Sequence, residues 1–266
     1  MRQTTFSFVP SLRVAVLGSG SQGNAVVVEC GRHRILIDAG FSARELDRRL
    51  DQVGVSGDSL EALVLTHEHS DHARGADVFA RRWGLPVYAT AGTLEEVGLK
   101  PPGRVLRSGE PCAVGGFEIE PFAIPHDARE PVGLVVRDQA GHRLGLAADL
   151  GSRSRLAWGR LRDLDVLILE TNHDLEMLRN GPYPWHLKQR VAGRHGHLSN
   201  HDAAEGIPEL VNDRLRWVVL YHLSQTNNLP ALAAAAVGEA LEGCGCAAAS
   251  LVTHQQQPTP WLEVPG

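Results

Sequence analysis

A short apolar run, Ala62-Leu63-Val64-Leu65, ends in Thr66-His67-Glu68-His69-Ser70-Asp71-His72. The run reads as a buried strand. The segment leaving it sets three imidazoles and a carboxylate at H-x-H-x-D-H spacing. Imidazole suits zinc and other first-row metals, and a carboxylate adds charge and can bridge two ions. Four ligand-type side chains in one stretch exceed what a single catalytic tetrahedral ion takes from protein. The spacing therefore points to two ions, with His67 and His69 on one and Asp71 and His72 on the other, the arrangement of a hydrolytic clamp. A solvated polar loop can also carry histidines. This cluster, however, sits on the exit of a buried strand, where α/β folds bind ligands, and Gly75 to Trp83 then reads as a helix.

The rest of the chain alternates between the two periodicities. Arg13 to Leu17, Ala25 to Cys30 and Arg34 to Ile37 read as an antiparallel meander. Ala43 to Leu50 reads as a helix with Ser42 as N-cap and Glu45 at its third position. Pro86 to Ala89, Phe117 to Phe122, Val132 to Arg137 and Arg143 to Ala148 read as strands, the last two joined around Gln139-Ala140-Gly141. Val166 to Leu169 and Trp217 to Tyr221 are buried strands by their apolar runs. Helices are expected near Arg153 to Leu161, Leu187 to Ala192, His201 to Val211 and Pro230 to Leu241. Meanders interleaved with helices predict two packed sheets with helices on both outer faces. No linker, repeat or low-complexity stretch divides residues 1–266, so one domain is expected.

Gly18, Gly20 and Gly23 satisfy G-x-G-x-x-G after a strand, with Asp38 twenty residues beyond Gly18. A dinucleotide site needs a helix directly after such glycines. Ala25-Val26-Val27-Val28 reads as a strand instead, which rejects that reading. The loop can serve as a plain turn, or Ser19, Ser21 and Asn24 can point donors toward an anion.

A two-metal site needs further ligands at other strand ends. His126 follows Phe122-Ala123-Ile124-Pro125, Asp149 follows Gly145-Leu146-Ala147-Ala148, and His222 follows Trp217 to Tyr221. Each alone could be a satisfied surface or core residue. Together with the histidine cluster they form a ligand series.

That series, with Asp38 ahead of it, resembles the motifs of the metallo-β-lactamase fold. The resemblance implies a four-layer αββα sandwich, an α/β (α+β) architecture with a bimetallic hydrolase site at one edge. It implies that His67, His69 and His126 bind one metal, that Asp71, His72 and His222 bind the second, and that Asp149 bridges them. Asp38 would stand behind the ligands and orient a histidine. Leu17 to Asn24, Ile37-Asp38-Ala39-Gly40, His126-Asp127-Ala128, Glu170 to Asp174, Gly196 to Asn200 and His222-Leu223-Ser224 are similar to the YycJ/WalJ-type proteins, small bacterial members linked to nuclease or phosphodiesterase activity. The similarity runs from about Leu17 to Asn228; Gln22 and Thr171 depart from the pattern. Two divalent ions are implied, zinc first and manganese second.

The fold hosts several chemistries, so substrate must be argued from the site. The ligand set is rich in histidine and poor in carboxylate, and His69 stands where di-iron redox members carry a carboxylate. Both facts favour hydrolysis. Met177 to His201 contains Arg179, Lys188, Arg190 and Arg194 and no Asp or Glu. In an acidic chain that excess reads as an anion-binding surface, so residues 171–201 are expected to face substrate, with Ser199 and Asn200 alongside. Tyr183 and Trp185 lie in the same segment and can stack a base or pack locally. His197 matches a histidine that phosphodiesterases of this fold carry beside the metals. Asp71 and His197 are the expected catalytic residues, His197 stabilising the charged transition state or protonating the leaving oxygen. The expected function is phosphodiester hydrolysis by a dimetal-bridging hydroxide, with nucleic acid as substrate and an exonuclease as its form. The competing expectations are hydrolysis of a small cyclic phosphate or a thioester, and a metal-binding scaffold without turnover.

Bulk properties agree with a hydrolase of this kind. A net charge of −5 gives no general nucleic-acid coat, though a local patch can override a net value. Met1 to Pro10 lacks the pattern of a signal peptide, and the Ala-rich stretch Leu229 to Leu241 carries Glu239 and is too short to span a bilayer. A cytoplasmic chain without a membrane partner is expected. Cys30, Cys112, Cys244 and Cys246 lack zinc-knuckle spacing and read as buried thiols.

Overall fold

Many strand segments are apolar at consecutive positions rather than alternate ones, and that composition requires cover on both faces. The structure, a computed structural model that describes residues 10–266, supplies that cover. The reading of Met1 to Pro10 therefore falls, Pro10 apart, outside the described residues.

In chain order the strands are β1 (Leu12–Gly18), β2 (Ala25–Cys30), β3 (His33–Ile37), β4 (Ala62–Val64), β5 (Val87–Thr90), β6 (Arg104–Leu106), β7 (Cys112–Val114), β8 (Phe117–Ala123), β9 (Val132–Arg137), β10 (Arg143–Ala147), β11 (Val166–Glu170), β12 (Trp217–Tyr221), β13 (Ala249–Val252) and β14 (Leu262–Val264). The helices are α1 (Ala43–Gln52), α2 (Ser70–Ala73), α3 (Ala76–Trp83), α4 (Ala91–Val97), α5 (Arg155–Arg160), α6 (Leu175–Asn180), α7 (Trp185–Val191), α8 (Asn200–Gly206) and α9 (Pro230–Gly243). One sheet runs β14-β1-β2-β3-β4-β5-β6 and the other β13-β12-β11-β10-β9-β8-β7. Each sheet is part antiparallel and part parallel: β3 to β6 are parallel in the first, β10 to β13 in the second.

Side-chain alternation divides the interior into three apolar layers. Val14, Val16, Val26 and Val28 of the first sheet meet Leu144, Leu146, Val166 and Ile168 of the second in the central core. On the outer face of the first sheet, Ala15, Leu17, Val27 and Leu63 pack with Leu46 and Leu50 of α1 and Phe79 of α3. On the outer face of the second, Leu167, Leu169, Val218 and Leu220 pack with Trp158 of α5, Ala203 of α8 and Val237 of α9. The result is the expected helix–sheet–sheet–helix sandwich.

Local signals account for most boundaries. Ser42 caps α1, its hydroxyl accepting from the Glu45 N–H at 3.3 Å. The helix expected over His201 to Val211 stops at Gly206, and Pro208 follows in a short 3₁₀ turn, Ile207–Glu209. β2 begins at Ala25, so no helix follows the Gly18–Gly23 loop. The thiol reading needs correction: Cys30 is buried, but Cys244 is exposed and Cys112 and Cys246 are half-buried. No helix among the described residues is long and apolar enough to cross a membrane.

Candidate metal centre

All the expected ligands follow carboxyl ends of strands that run the same way, and both sheets present those ends at one edge. β4 delivers His67; His69 precedes α2, which carries Asp71 and His72 on its single turn. The motif is therefore half loop and half helix rather than all loop. β8 delivers His126, β10 delivers Asp149 and β12 delivers His222.

Asp38, just past β3, ties this edge together. Its Oδ1 accepts from the Thr66 N–H at 2.8 Å, and its Oδ2 lies 2.7 Å from His72 Nδ1. That leaves His72 Nε2 facing inward, 2.7 Å from Asp149 Oδ2 and 3.8 Å from Asp71 Oδ2. His222 Nε2 stands 3.2 Å from Asp71 Oδ2. On the other side His126 Nε2 is 3.1 Å from His69 Nδ1. His67, His69 and His126 thus bring one ligand atom each to a common point, and so do Asp71, His72 and His222; Asp149 reaches His67 and His72 together. Of the four non-glycine residues at positive φ among the described residues, three belong here: Asp38 (61°), Asp149 (50°) and His222 (58°). Each costs about 1–2 kcal/mol against the ordinary backbone, and each turns a side chain off a strand end into the centre.

The electrostatics are those of a centre assembled around positive charge. Burial lowers His67, and burial pushes His126 down to about 4. Burial also opposes charge on His72, but Asp149 and Asp38 outweigh it and push the ring up to about 10. His222 is carried well above its ordinary value the same way, by Asp149, Asp71 and Glu170. Burial would raise Asp149, yet His222 and His72 hold it well below the usual carboxylate range. A pair of divalent cations fits this donor set. His67 Nε2 and Asp149 Oδ1 are fully buried with no hydrogen-bond partner among the described residues. They have close neighbours, Asp149 Oδ2 at 3.2 Å and His222 Nδ1 at 2.7 Å, but not in hydrogen-bonding geometry. Orphaned donor atoms at the focus of seven ligand-type side chains are what metal coordination would satisfy.

Glu170, at the end of β11, was assigned no role from sequence. It is fully buried, its Oε1 lying 2.8 Å from His197 Nδ1 and 3.1 Å from His222 Nδ1, while Oε2 accepts from the N–H groups of Leu150 and Leu198. His197 Nδ1 is also 3.1 Å from Asp149 Oδ1. Burial opposes charge on His197 but Glu170 and Asp149 push it up to about 9. In the sequence Glu170 closes an apolar strand and opens the Glu170–Asp174 stretch of the resemblance, and neither pattern names its partners.

A cavity of about 260 Å³ opens over the centre, lined by His197, Ser21, Leu187 and Arg190 as well as ligands. Of the residues expected to meet substrate, only Ser21 and Arg190 line it, and Arg190 also pairs with Asp127 at 2.7 Å. Four others do not line it, and their polar atoms bond within the protein. Ser19 Oγ donates to Asn24 Oδ1 at 3.0 Å and accepts from the His222 N–H at 2.7 Å. Asn24 Nδ2 donates to the Gly20 and Asp71 carbonyls. Ser199 caps α8, and Asn200 pairs with Asn228. The buried loop needed those groups to satisfy its own backbone. Arg179 bonds Glu176, Lys188 Nζ donates to the Arg179 carbonyl, and Arg194 is exposed, all away from the cavity lining. Trp185 is exposed at 71 % and Tyr183 is half-buried.

Comparison with known proteins agrees with the geometry. The family model of the β-lactamase superfamily domain matches residues 33–223. The chain is 35% identical over 240 residues to exodeoxyribonuclease YycJ of Bacillus anthracis, covering 88% of this chain and 90% of that protein. It is 35% identical over 230 residues to exodeoxyribonuclease WalJ of Streptococcus pneumoniae, covering 83% and 85%. In fold it is similar to the metallo-β-lactamase fold protein YhfI from Bacillus subtilis, with a TM-score of 0.72 at 18% identity over 96% of this chain and 100% of the other. The chain belongs to the β-lactamase superfamily, among its YycJ- and WalJ-type members, as a metal-dependent hydrolase.

Proposed function

We propose that this protein hydrolyses phosphodiester bonds in nucleic acid, as an exonuclease. The observation that carries the reading is the convergence of seven ligand-type side chains beneath a cavity that His197 lines, in a chain alike over most of its length to two exodeoxyribonucleases. His67, His69 and His126 would hold one divalent cation and Asp71, His72 and His222 the other, with Asp149 shared. Bound there, the cations would lower the pKa of a water and neutralise charge on the phosphate. Zinc suits the imidazole-rich set best, and the carboxylates admit manganese.

The remaining steps belong to side chains. Glu170 holds Nδ1 of His197, which fixes the ring and leaves Nε2 as the atom available to the cavity. From there it stabilises charge on the phosphoryl oxygens or gives a proton to the departing oxygen. Arg190 adds positive charge at the cavity wall. Asp71 serves as ligand, its Oδ2 standing 3.2 Å from His222 Nε2 on the same cation site.

The test is one preparation, reconstituted separately with zinc and manganese. It is assayed on 5′- and 3′-labelled single- and double-stranded DNA and RNA, on bis-p-nitrophenyl phosphate and on a thioester. Stepwise loss of terminal nucleotides is the expected result. Thioester turnover without phosphodiester cleavage overturns the reading.

A further inference from the structure

The cavity over the metal centre does not end at Ser21. Ser21 also lines a second cavity, of about 390 Å³, together with Gln22 and Arg74. Gln255 and Gln256 line that cavity and a third one of about 520 Å³, which extends to Gln225. The three cavities thus adjoin in series, Ser21 lining the first and second and Gln255 and Gln256 the second and third. The chain carries 31 acidic residues against 26 lysines and arginines, yet no Asp or Glu lines the second or third cavity.

The groove of these adjoining cavities is built, not incidental. Arg49, buried beneath it, donates from Nη1 to the Leu17 carbonyl at 2.7 Å and to the Gln255 carbonyl at 3.0 Å. The Gln255 side chain accepts from the Gln22 N–H at 2.8 Å and donates to the Gly23 carbonyl at 2.9 Å. Gln22 Nε2 donates to Gln225 Oε1 at 3.0 Å, so three distant chain segments meet there. Arg74 is anchored by carbonyls only, donating from Nη2 to Gln22 O at 2.9 Å and Gly40 O at 2.8 Å. Carbonyls orient a guanidinium without cancelling its charge, and no carboxylate pairs with Arg74 among the described residues. An oriented, uncompensated cation matches a backbone phosphate. Exposed primary amides, at Gln22, Gln225 and Gln256, present a donor and an acceptor side by side, as base edges and sugar hydroxyls require.

We propose that this groove holds the nucleic-acid strand on one side of the scissile bond, with Arg74 on a phosphate and the three glutamine amides along sugars and bases. The inference rests on the phosphodiesterase reading and adds that the substrate is an extended strand rather than a compact phosphodiester. Contacts of this kind recognise backbone more than sequence, so binding depends on strand length and salt.

The test measures binding of fluorescein-labelled phosphorothioate oligothymidylates of two to twelve residues to the metal-loaded protein by anisotropy, with KM for the matching phosphodiesters. Wild-type affinity is expected to rise at least about tenfold from the dimer to the 12-mer. Arg74→Ala is expected to weaken the 12-mer about tenfold and to reduce the slope of log K against log salt by about one. Because Arg74 also holds backbone, the double variant Gln225→Ala/Gln256→Ala at exposed positions provides an independent arm and is expected to raise KM with kcat little changed. Arg81→Ala, outside the groove, serves as the control. If wild type cleaves DNA and bis-p-nitrophenyl phosphate but dimer and 12-mer bind alike, or both variants bind the 12-mer like wild type, the groove is refuted and the phosphodiesterase reading stands. If wild type cleaves no phosphodiester, that reading fails and the groove falls with it.

Discussion

At the scale of single residues, the centre depends on side chains outside the seven expected ligands. Glu170 is the clearest, buried and shared between His197 and His222. Glu170→Gln keeps the volume and removes the charge. It is expected to retain metal by elemental analysis and to lose about 10–100-fold in kcat, the usual cost of removing a ligand's supporting carboxylate. His197→Ala is likewise expected to retain metal and lose most of the rate; loss of metal would make His197 a ligand instead. Asp149 separates backbone from chemistry. Asp149→Ala and Asp149→Gly both remove the shared carboxylate and should abolish hydrolysis. At φ 50° glycine is free of the strain that alanine incurs. Asp149→Gly is therefore expected to be more stable than Asp149→Ala by about 1 kcal/mol in denaturant titrations. Equal stabilities would remove strain from the account.

How much of the centre is legible in the sequence varies residue by residue. The ligands are readable because an apolar strand ending in His or Asp is a short-range pattern that recurs along the chain. Glu170 obeys the same pattern, but one carboxylate after Ile168-Leu169 looks the same whether it meets solvent or a histidine. Its meaning depends on His197 and His222, which lie far off in sequence. Ser19 and Asn24 mislead for a related reason: a polar side chain in a Gly-rich loop can serve a ligand or the loop, and only tertiary packing decides.

At the scale of elements, short connections hold the ligand loops in register. Gly40 lies under α2, and a Cβ built there would stand 1.7 Å from the Asp71 carbonyl oxygen and 2.6 Å from the Asn24 nitrogen. Those two atoms belong to a 2.8 Å hydrogen bond joining the loop after β1 to the metal motif. Gly40→Ala must push α2 away and with it Asp71. The expected result is a loss of about 1–3 kcal/mol in thermal or denaturant unfolding together with weakened metal binding. A variant with wild-type stability and metal affinity would show that the loop yields freely. Cys30 on β2 gives a pH dependence remote from the site. Burial first, then the nearby carboxylates of Asp138 and Glu29, push its thiol up to about 12 from 9.0. The folded state thus holds the proton more tightly than the unfolded chain. The contribution is full below about pH 9 and is lost as pH rises toward 12. The denaturant midpoint of wild type should fall faster between about pH 9 and about pH 11 than that of Cys30→Ala; parallel curves would contradict the assignment. The elements missed from sequence, β6, β7, β13, β14, α2, α4 and α6, are no longer than seven residues, too few to display a period.

At the scale of the whole molecule, the two sheets divide the work. The first brings Asp38, His67, His69, Asp71 and His72 to the edge, and the second brings His126, Asp149, Glu170 and His222. Neither half holds a complete set, so the centre exists only when the central core between the sheets is formed. The pairing of the two halves is the part of the fold that pattern alone carries least. It joins positions as far apart in the chain as Asp38 and His222, and it rested on the family resemblance. The direct measurement is metal stoichiometry. Wild-type protein stripped of metal, reconstituted with zinc, desalted and analysed by inductively coupled plasma mass spectrometry should hold two ions per chain. His69→Ala and Asp149→Ala should each hold fewer, with far-ultraviolet circular dichroism unchanged. One ion or none in folded wild type, or two in either variant, would contradict the account.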